Sequence, residues 1–334
     1  MSLRQFEIEV RAPFRLDLTV WALRRRPHNT VDSFDGTRYR RTLMVKGRAL
    51  EIAVRQDECL CTPRLAVELR CSGAGSNDAA ESEARRLLHR TLGLGVDIEG
   101  FYRLAERDAR LTELAARFSG MRPPRFPTVF EALVNAIACQ QLSLTVGIHL
   151  LNRLAARYGP TTATRTGTPA GFPAPGQLAD ADPQDLRALG FSRSKAQAIC
   201  SVAGQVTMGE LDLETLDGVD DDKARAVLLE IGGIGRWSAE YTLLRGLGRL
   251  HVLPGDDVGA RNNLRRRFAL GPSAGYDEIS ELSRLWWPYG GLVYFHLLLD
   301  ALAEAGHVAA AEALPLTTPP RRRSRGTPSS KGHP

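Results

Sequence analysis

The chain has 334 residues, enough to bury a sizeable core in two or more domains, and its 43% hydrophobic and 25% charged content is that of an ordinary globular protein. The N-terminus MSLRQFEIEV carries no apolar signal region, and no later run is long enough to cross a bilayer, so the sequence reads as a soluble, cytoplasmic protein with no membrane partner. A formal charge of +6 favours a polyanionic partner, although a solvated basic surface and tail would give the same sum.

Residues 1–95 read as a small α+β domain. Phe6, Ile8 and Val10 alternate with polar neighbours, as do Leu50, Ile52 and Val54; with Tyr39 to Val45 and Leu65 to Leu69 they predict an antiparallel sheet with one wet face. Asn77 to Leu92 has helical spacing. The pattern turns mainly α from about Ile98, and residues 96–313 are expected to form a two-lobed helical core. A helix ends near Phe118, and the loop GMRPPRFP stops it because proline cannot continue a helix. Thr128 and Glu131 have capping-box spacing ahead of a buried first core helix over about 128–158. Within it the amide pair Gln140 and Gln141 needs partners outside the core.

The stretch 159–176, rich in Thr, Pro and Gly, reads as a surface loop, followed by helices over Gln177 to Gly190 and Ser194 to Gly209. Asp220, Asp221 and Asp222 suit a helix N-terminus as cap residues, not metal ligands. Over 228–246 a helix end, the turn Ile231-Gly232-Gly233-Ile234-Gly235 and a second helix from Arg236 outline a helix-hairpin-helix. Its bare glycines can present backbone amides to an anion such as phosphate; an isolated glycine turn is more often only a turn. The carboxylates Asp256 and Asp257 then precede a helix over Val258 to Phe268. Further helices are expected over Tyr276 to Trp286 and about 292–304, ahead of a disordered basic tail over 314–334 that includes Arg321, Arg322 and Arg323.

The cysteines, Cys59, Cys61, Cys71, Cys139 and Cys200, show no CxxC spacing, so neither a disulfide framework nor zinc is expected. None follows Cys200, which leaves no ligand set for an iron-sulfur cluster near the C-terminus. Cys139 reads as a small core residue.

LLEIGGIGRWSAEYTLLRG followed by LPGDDVG is similar to the helix-hairpin-helix DNA glycosylases. FPTVFEALVNAIACQQLS, RALGFSRSKAQAI and WWPYGGLVYFHLLL resemble other segments of that superfamily in the same order, and the 3-methyladenine DNA glycosylase II (AlkA-like) group matches best. The resemblance runs over about 5–305. It implies a base-excision enzyme that flips an alkylated purine out of double-stranded DNA and hydrolyses its glycosidic bond, acting as a monomer and leaving an abasic site. Asp257, through P-x-x-D-V-G, would be the catalytic carboxylate; Asp256 is its rival, and either would serve as a plain helix cap.

Trp237 and Tyr241, one turn apart, would wall the base pocket, with Trp21 and Leu298 as further lining residues; each aromatic would equally suit a core. Gly233, Gly235 and Arg236 would grip phosphate, and Gln141 would occupy the emptied stack with Gln140 beside it at the DNA. A Na+ or K+ ion would rest on the carbonyls of Leu229, Ile231 and Ile234; no other cofactor is required. Lyase members carry a lysine where this chain has Trp237, and the only lysines are Lys46, Lys195, Lys223 and Lys331, so strand cleavage is not expected. The chain departs from the group at Gln141, where an apolar wedge is frequent, at Gly232, where proline is common, and at Leu298, where an aromatic can occur. A DNA-structure binder without chemistry, or a glycosylase for oxidised or deaminated bases, remains the alternative.

Overall fold

A computed structural model describes residues 2–45, 47–57, 62–71, 77–161 and 170–309. Lys46, Cys59, Cys61, Lys331, residues 162–169 of the 159–176 loop and the basic tail with Arg321 to Arg323 lie outside the described residues. In chain order the elements are Ser2–Glu9 (β1), Leu16–Arg24 (α1), Ser33–Phe34 (β2), Arg38–Val45 (β3), Arg48–Gln56 (β4), Arg64–Cys71 (β5) and Asn77–Thr91 (α2). Helices follow at Glu99–Ala105 (α3), Ala109–Arg117 (α4), Val129–Cys139 (α5), Leu144–Tyr158 (α6), Pro175–Leu178 (α7), Pro183–Ala188 (α8) and Arg193–Met208 (α9). The last are Asp221–Glu230 (α10), Arg236–Arg245 (α11), Val258–Phe268 (α12), Tyr276–Arg284 (α13) and Gly290–Glu304 (α14).

The strands form one antiparallel sheet in the order β1-β5-β4-β3-β2. Its inner face follows the alternation: Ile8, Leu65, Val67, Leu69, Leu50, Ile52, Val54 and Tyr39 are buried together, beneath Ala84, Leu87 and Leu88 of α2. The outer face is wet only at its margins. Thr42, Ala49, Glu51 and Ala53 are buried as well, and the long neighbours of these small residues, among them the ion-paired Arg38 and Glu68, can shade them from water.

The helices build two lobes. In the first, α5, α6 and α8 to α11 share a core that includes Leu133, Ile137, Leu151, Ile199, Leu228 and Leu243. In the second, α3, α4, α12 and α14 close around Phe101, Leu114, Leu264, Trp286 and Phe295. Leu18 and Ala22 of α1 also belong to this second core and Val31 to the first, so the first quarter of the chain contributes to all three cores.

Three expected helices take different courses, and that over Gln177 to Gly190 is divided into α7 and α8, the second restarted by Asp182 accepting from Gln184 N. The helix ending near Phe118 is two, because Asp108 accepts from the Arg110 amide and restarts the chain as α4. The first core helix over 128–158 is divided: Gln141 has φ of 52°, and Ser143 then caps α6 by accepting from Val146 N. The capping box at Thr128 forms by half. Thr128 accepts from Glu131 N, but the Glu131 carboxylate turns to Arg41 of β3. Arg41, Asp32 and Glu131 are all buried, and Tyr39 donates to Asp32, which fastens the sheet to α5. Two carboxylates thus share one guanidinium, and burial pushes the Glu131 carboxyl up to about 7 against the pull of Arg41.

Candidate active site

Asp220 starts α10 by accepting from Lys223 N, the local role expected of it. The helix ends at Ile231, where the backbone turns through Gly233 at φ of 87°, a conformation that costs glycine little. Ile231 and Ile234 are buried in the first lobe while Gly232, Gly233 and Gly235 stay exposed, as a rigid turn with bare glycines requires. No side chain caps α11, so its first amides face outward. Gln140 braces this turn, donating from Nε2 to Gly233 O at 2.9 Å and to Ser238 Oγ at 2.8 Å.

Between the turn, the 140–144 loop, α12 and α14 opens a cavity of about 970 Å³. Trp237, Tyr241, Leu298, Gln140, Gln141, Gly233, Gly235, Arg236, Asp256 and Asp257 all line it. Residues 20 to 160 apart in sequence are thereby brought to one place. Trp21 is not among the lining residues: it stacks on His307 at 5.6 Å, under the Arg24 guanidinium, so its proposed place in the pocket is replaced by a packing role. Composition alone could not separate these two fates of an aromatic.

The neighbouring carboxylates have different surroundings. Asp256 accepts from Arg236 Nε at 2.7 Å and from Arg261 Nη2 at 3.1 Å, joining α11 to α12. Arg236 is thereby engaged within the protein, its guanidinium 3.6 Å from the centre of the Tyr276 ring. Asp257 caps α12 through Oδ1, which accepts from Ala260 N at 2.8 Å. Its Oδ2 accepts from Trp237 Nε1 at 3.3 Å and from the Tyr294 hydroxyl at 3.2 Å. Every one of these donors is neutral, so the carboxylate is oriented without a counter-ion. Capping and display are compatible in one residue, since the cap uses one oxygen.

Trp237 and Tyr241 lie 5.3 Å apart between ring centres, tilted by 36°. The tyrosine hydroxyl accepts from Arg25 Nη1 at 2.7 Å, and Arg25 Nη2 donates to Asn135 Oδ1 at 2.6 Å. Arg25 also lines the cavity, is 3% exposed and has φ of 62°, while its Nε has no hydrogen-bond partner. Its left-handed backbone closes α1, with Arg25 N donating to Trp21 O at 2.9 Å, and this turn aims the side chain at the cavity wall. Arg25 and Tyr294 were both missed by sequence reasoning. The first follows a short helix within an arginine run, and the second sits in an apolar helix whose only sign was one hydroxyl needing a partner.

Gln141 is exposed at the cavity rim beside Leu142, itself 43% exposed. Lys195 lies behind this loop, its ammonium donating to the carbonyls of Ala138 and Gln140, and burial holds its pKa down. Lys223 pairs with Asp220, and neither lysine lines the cavity. Among the described residues no group of His, Cys, Asp or Glu is arranged to hold a metal ion, and no helix is long and apolar enough to cross a membrane.

A cleft floored by paired aromatics, edged by a bare-glycine helix start and holding one displayed carboxylate defines a DNA-repair site of the helix-hairpin-helix class. Residues 134–289 match the HhH-GPD superfamily of base excision DNA repair proteins. DNA-3-methyladenine glycosylase of Bacillus subtilis is 29% identical over 64% of this chain and 71% of its own length. DNA-3-methyladenine glycosylase 1 of Schizosaccharomyces pombe is 30% identical over 48% of this chain and 68% of its own. The solved 3-methyladenine DNA glycosylase of Archaeoglobus fulgidus superposes with a TM-score of 0.77 at 28% identity, covering 88% of this chain and 97% of that one. The chain belongs to the HhH-GPD superfamily, and it is a DNA-binding glycosylase of base excision repair.

Proposed function

We propose that this glycosylase acts alone on alkylated purines of the 3-methyladenine type, flipping the base from double-stranded DNA and releasing it with water to leave an abasic site. The observation that carries this reading is the Asp257 carboxylate, anionic in a cavity beside the hairpin and held only by neutral donors. Breaking the glycosidic bond builds positive charge on the sugar, and a fixed carboxylate stabilises that charge and orients the attacking water. The amides at Gly233 and Gly235 grip the backbone phosphate, Gln141 fills the emptied stack, and Trp237, Tyr241 and Leu298 receive the base.

The carbonyls of Leu229, Ile231 and Ile234 would hold a Na+ or K+ ion. Ile231 O already accepts from Ile234 N, and a carbonyl keeps a second lone pair for a cation. Such an ion would add positive charge where the phosphate docks. The reading needs no other cofactor and places the monomeric protein with the DNA of the cytoplasm. Lyase chemistry is not part of it, because Trp237 stands at the lysine position and the Lys195 ammonium is committed to two carbonyls.

One observation favours a second reading. Arg25 and Arg26 line the cavity, so its walls are not those of a simple cation trap, and an uncharged oxidised or deaminated base with acceptor atoms would suit Arg25. A panel of duplexes, each with one defined damaged base, tests both. Preferential release of alkylated purines is expected, with no borohydride-trappable adduct; release of oxidised or deaminated bases alone would transfer the assignment, and no release at all would leave a DNA-structure binder.

A further inference from the structure

The inner side of α14 is mainly apolar, with Leu292, Val293, Phe295, Leu297 and Leu299 buried, and Tyr294, His296 and Asp300 interrupt it. Of these three, Tyr294 lines the cavity. Its ring packs edge-on against Phe295 with centres 5.9 Å apart, a role phenylalanine would fill equally well. A buried hydroxyl needs a partner, and the one it has is Asp257 Oδ2. The bond spans 37 positions and joins the last helix of the second lobe to the start of α12.

Two oxygens of Asp257 receive three donors, and the set defines a plane. Ala260 N holds Oδ1; Trp237 Nε1 and Tyr294 OH hold Oδ2 from two different elements. Without the phenol, the outer oxygen would depend on one long bond from an indole that also has to face the base. We propose that Tyr294 is a positioning residue for Asp257: its hydroxyl fixes the carboxylate plane toward the sugar. This rests on the glycosylase reading given above.

Burial and the Asp257 charge push the Tyr294 phenol well above the ordinary tyrosine range, so it stays a donor throughout the working pH range. A neutral donor stabilises the anion without cancelling its field at the sugar, which an arginine in the same place would do. The other ionisable groups facing the pair are Tyr241, Cys139, Arg25 and Arg245, together with Asp256 in its bonds to Arg236 and Arg261. Exchange of the hydroxyl for hydrogen leaves all of these in place.

The test is single-turnover release of 7-methylguanine from a defined duplex by the full chain, measured across pH with duplex affinity and thermal unfolding alongside. Tyr294→Phe is expected to lower the rate about tenfold, the size expected for one lost hydrogen bond to a charged group, with Kd unchanged. The acid limb should move up by about one pH unit, since removing a donor to the charged form makes the carboxylate easier to protonate. A loss of stability or affinity with the acid limb in place would mean packing only and would overturn the proposal. Should that variant not fold, 3-fluorotyrosine at position 294, a stronger donor of nearly the same shape, is expected to move the limb down; an unmoved limb overturns the proposal there too. Absence of release by the unaltered protein removes the glycosylase reading itself, whereas an active protein with an indifferent Tyr294 removes only this inference.

Discussion

Asp256 and Asp257 share one turn, closed by Asp257 N donating to Pro254 O at 3.0 Å, yet they are held in opposite ways. Asp256 is bracketed by two arginines and serves as a clamp between α11 and α12. Asp257 receives only neutral donors and faces the cavity with its charge intact. The same functional group becomes a fastener or is left displayed to a cavity according to whether its donors carry charge. Spacing alone could not assign the two, because both positions suit a helix start.

The contrast can be broken most directly at Asp257. Asp257→Asn keeps the shape and one acceptor but removes the charge; single-turnover base release is expected to fall by about a thousandfold, with duplex affinity within a few-fold of the parent. A variant that kept its rate would move the chemistry to Asp256. Arg25→Gln sharpens the comparison from the other side of the pocket, where a cation lines the cavity. The ratio of neutral deaminated purine released to cationic alkylated purine released is expected to fall about tenfold, the size of one charged hydrogen bond; a constant ratio would mean that Arg25 only supports Tyr241.

Asp256→Asn should matter less. Its ion pairs are partly exposed, Arg236 being 51% accessible in its side chain, so about 1 kcal/mol of stability is expected to be lost on denaturant unfolding. The base-release rate should fall by only a few-fold, and a loss equal to that of Asp257→Asn would erase the distinction. A third carboxylate bears on stability alone. The native pKa of Glu131 is raised to about 7, above its unfolded value, so the native state binds the extra proton between roughly pH 4.5 and 7. Its contribution to stability is therefore fully present below that window and lost as pH rises through it. Glu131→Gln should flatten this dependence, worth on the order of 3 kcal/mol, in urea unfolding measured at several pH values.

Much of this arrangement was legible from local chemistry. The spacing of Val258 to Phe268 gave the bounds of α12, and the isoleucines around the glycine turn pointed inward as their pattern required. Features decided by distant partners were not legible. Glu131 had a local capping partner three residues away but is claimed by Arg41, 90 positions earlier. The division at Gln141 depends on a left-handed backbone that glutamine does not announce, although Ser143 could have signalled a new helix start. Trp21 and Trp237 are chemically alike, and only the packing of α1 against α14 decides that one of them misses the cavity.

Arg25 reaches Tyr241 across 216 positions, from just behind α1 to the second helix of the hairpin. The cavity wall is therefore composite, assembled from chain segments that lie far apart in synthesis order. The leading segment also fills both helical lobes, through Leu18 and Ala22 in one and Val31 in the other, so it is an integral part of the pocket and not a detachable module.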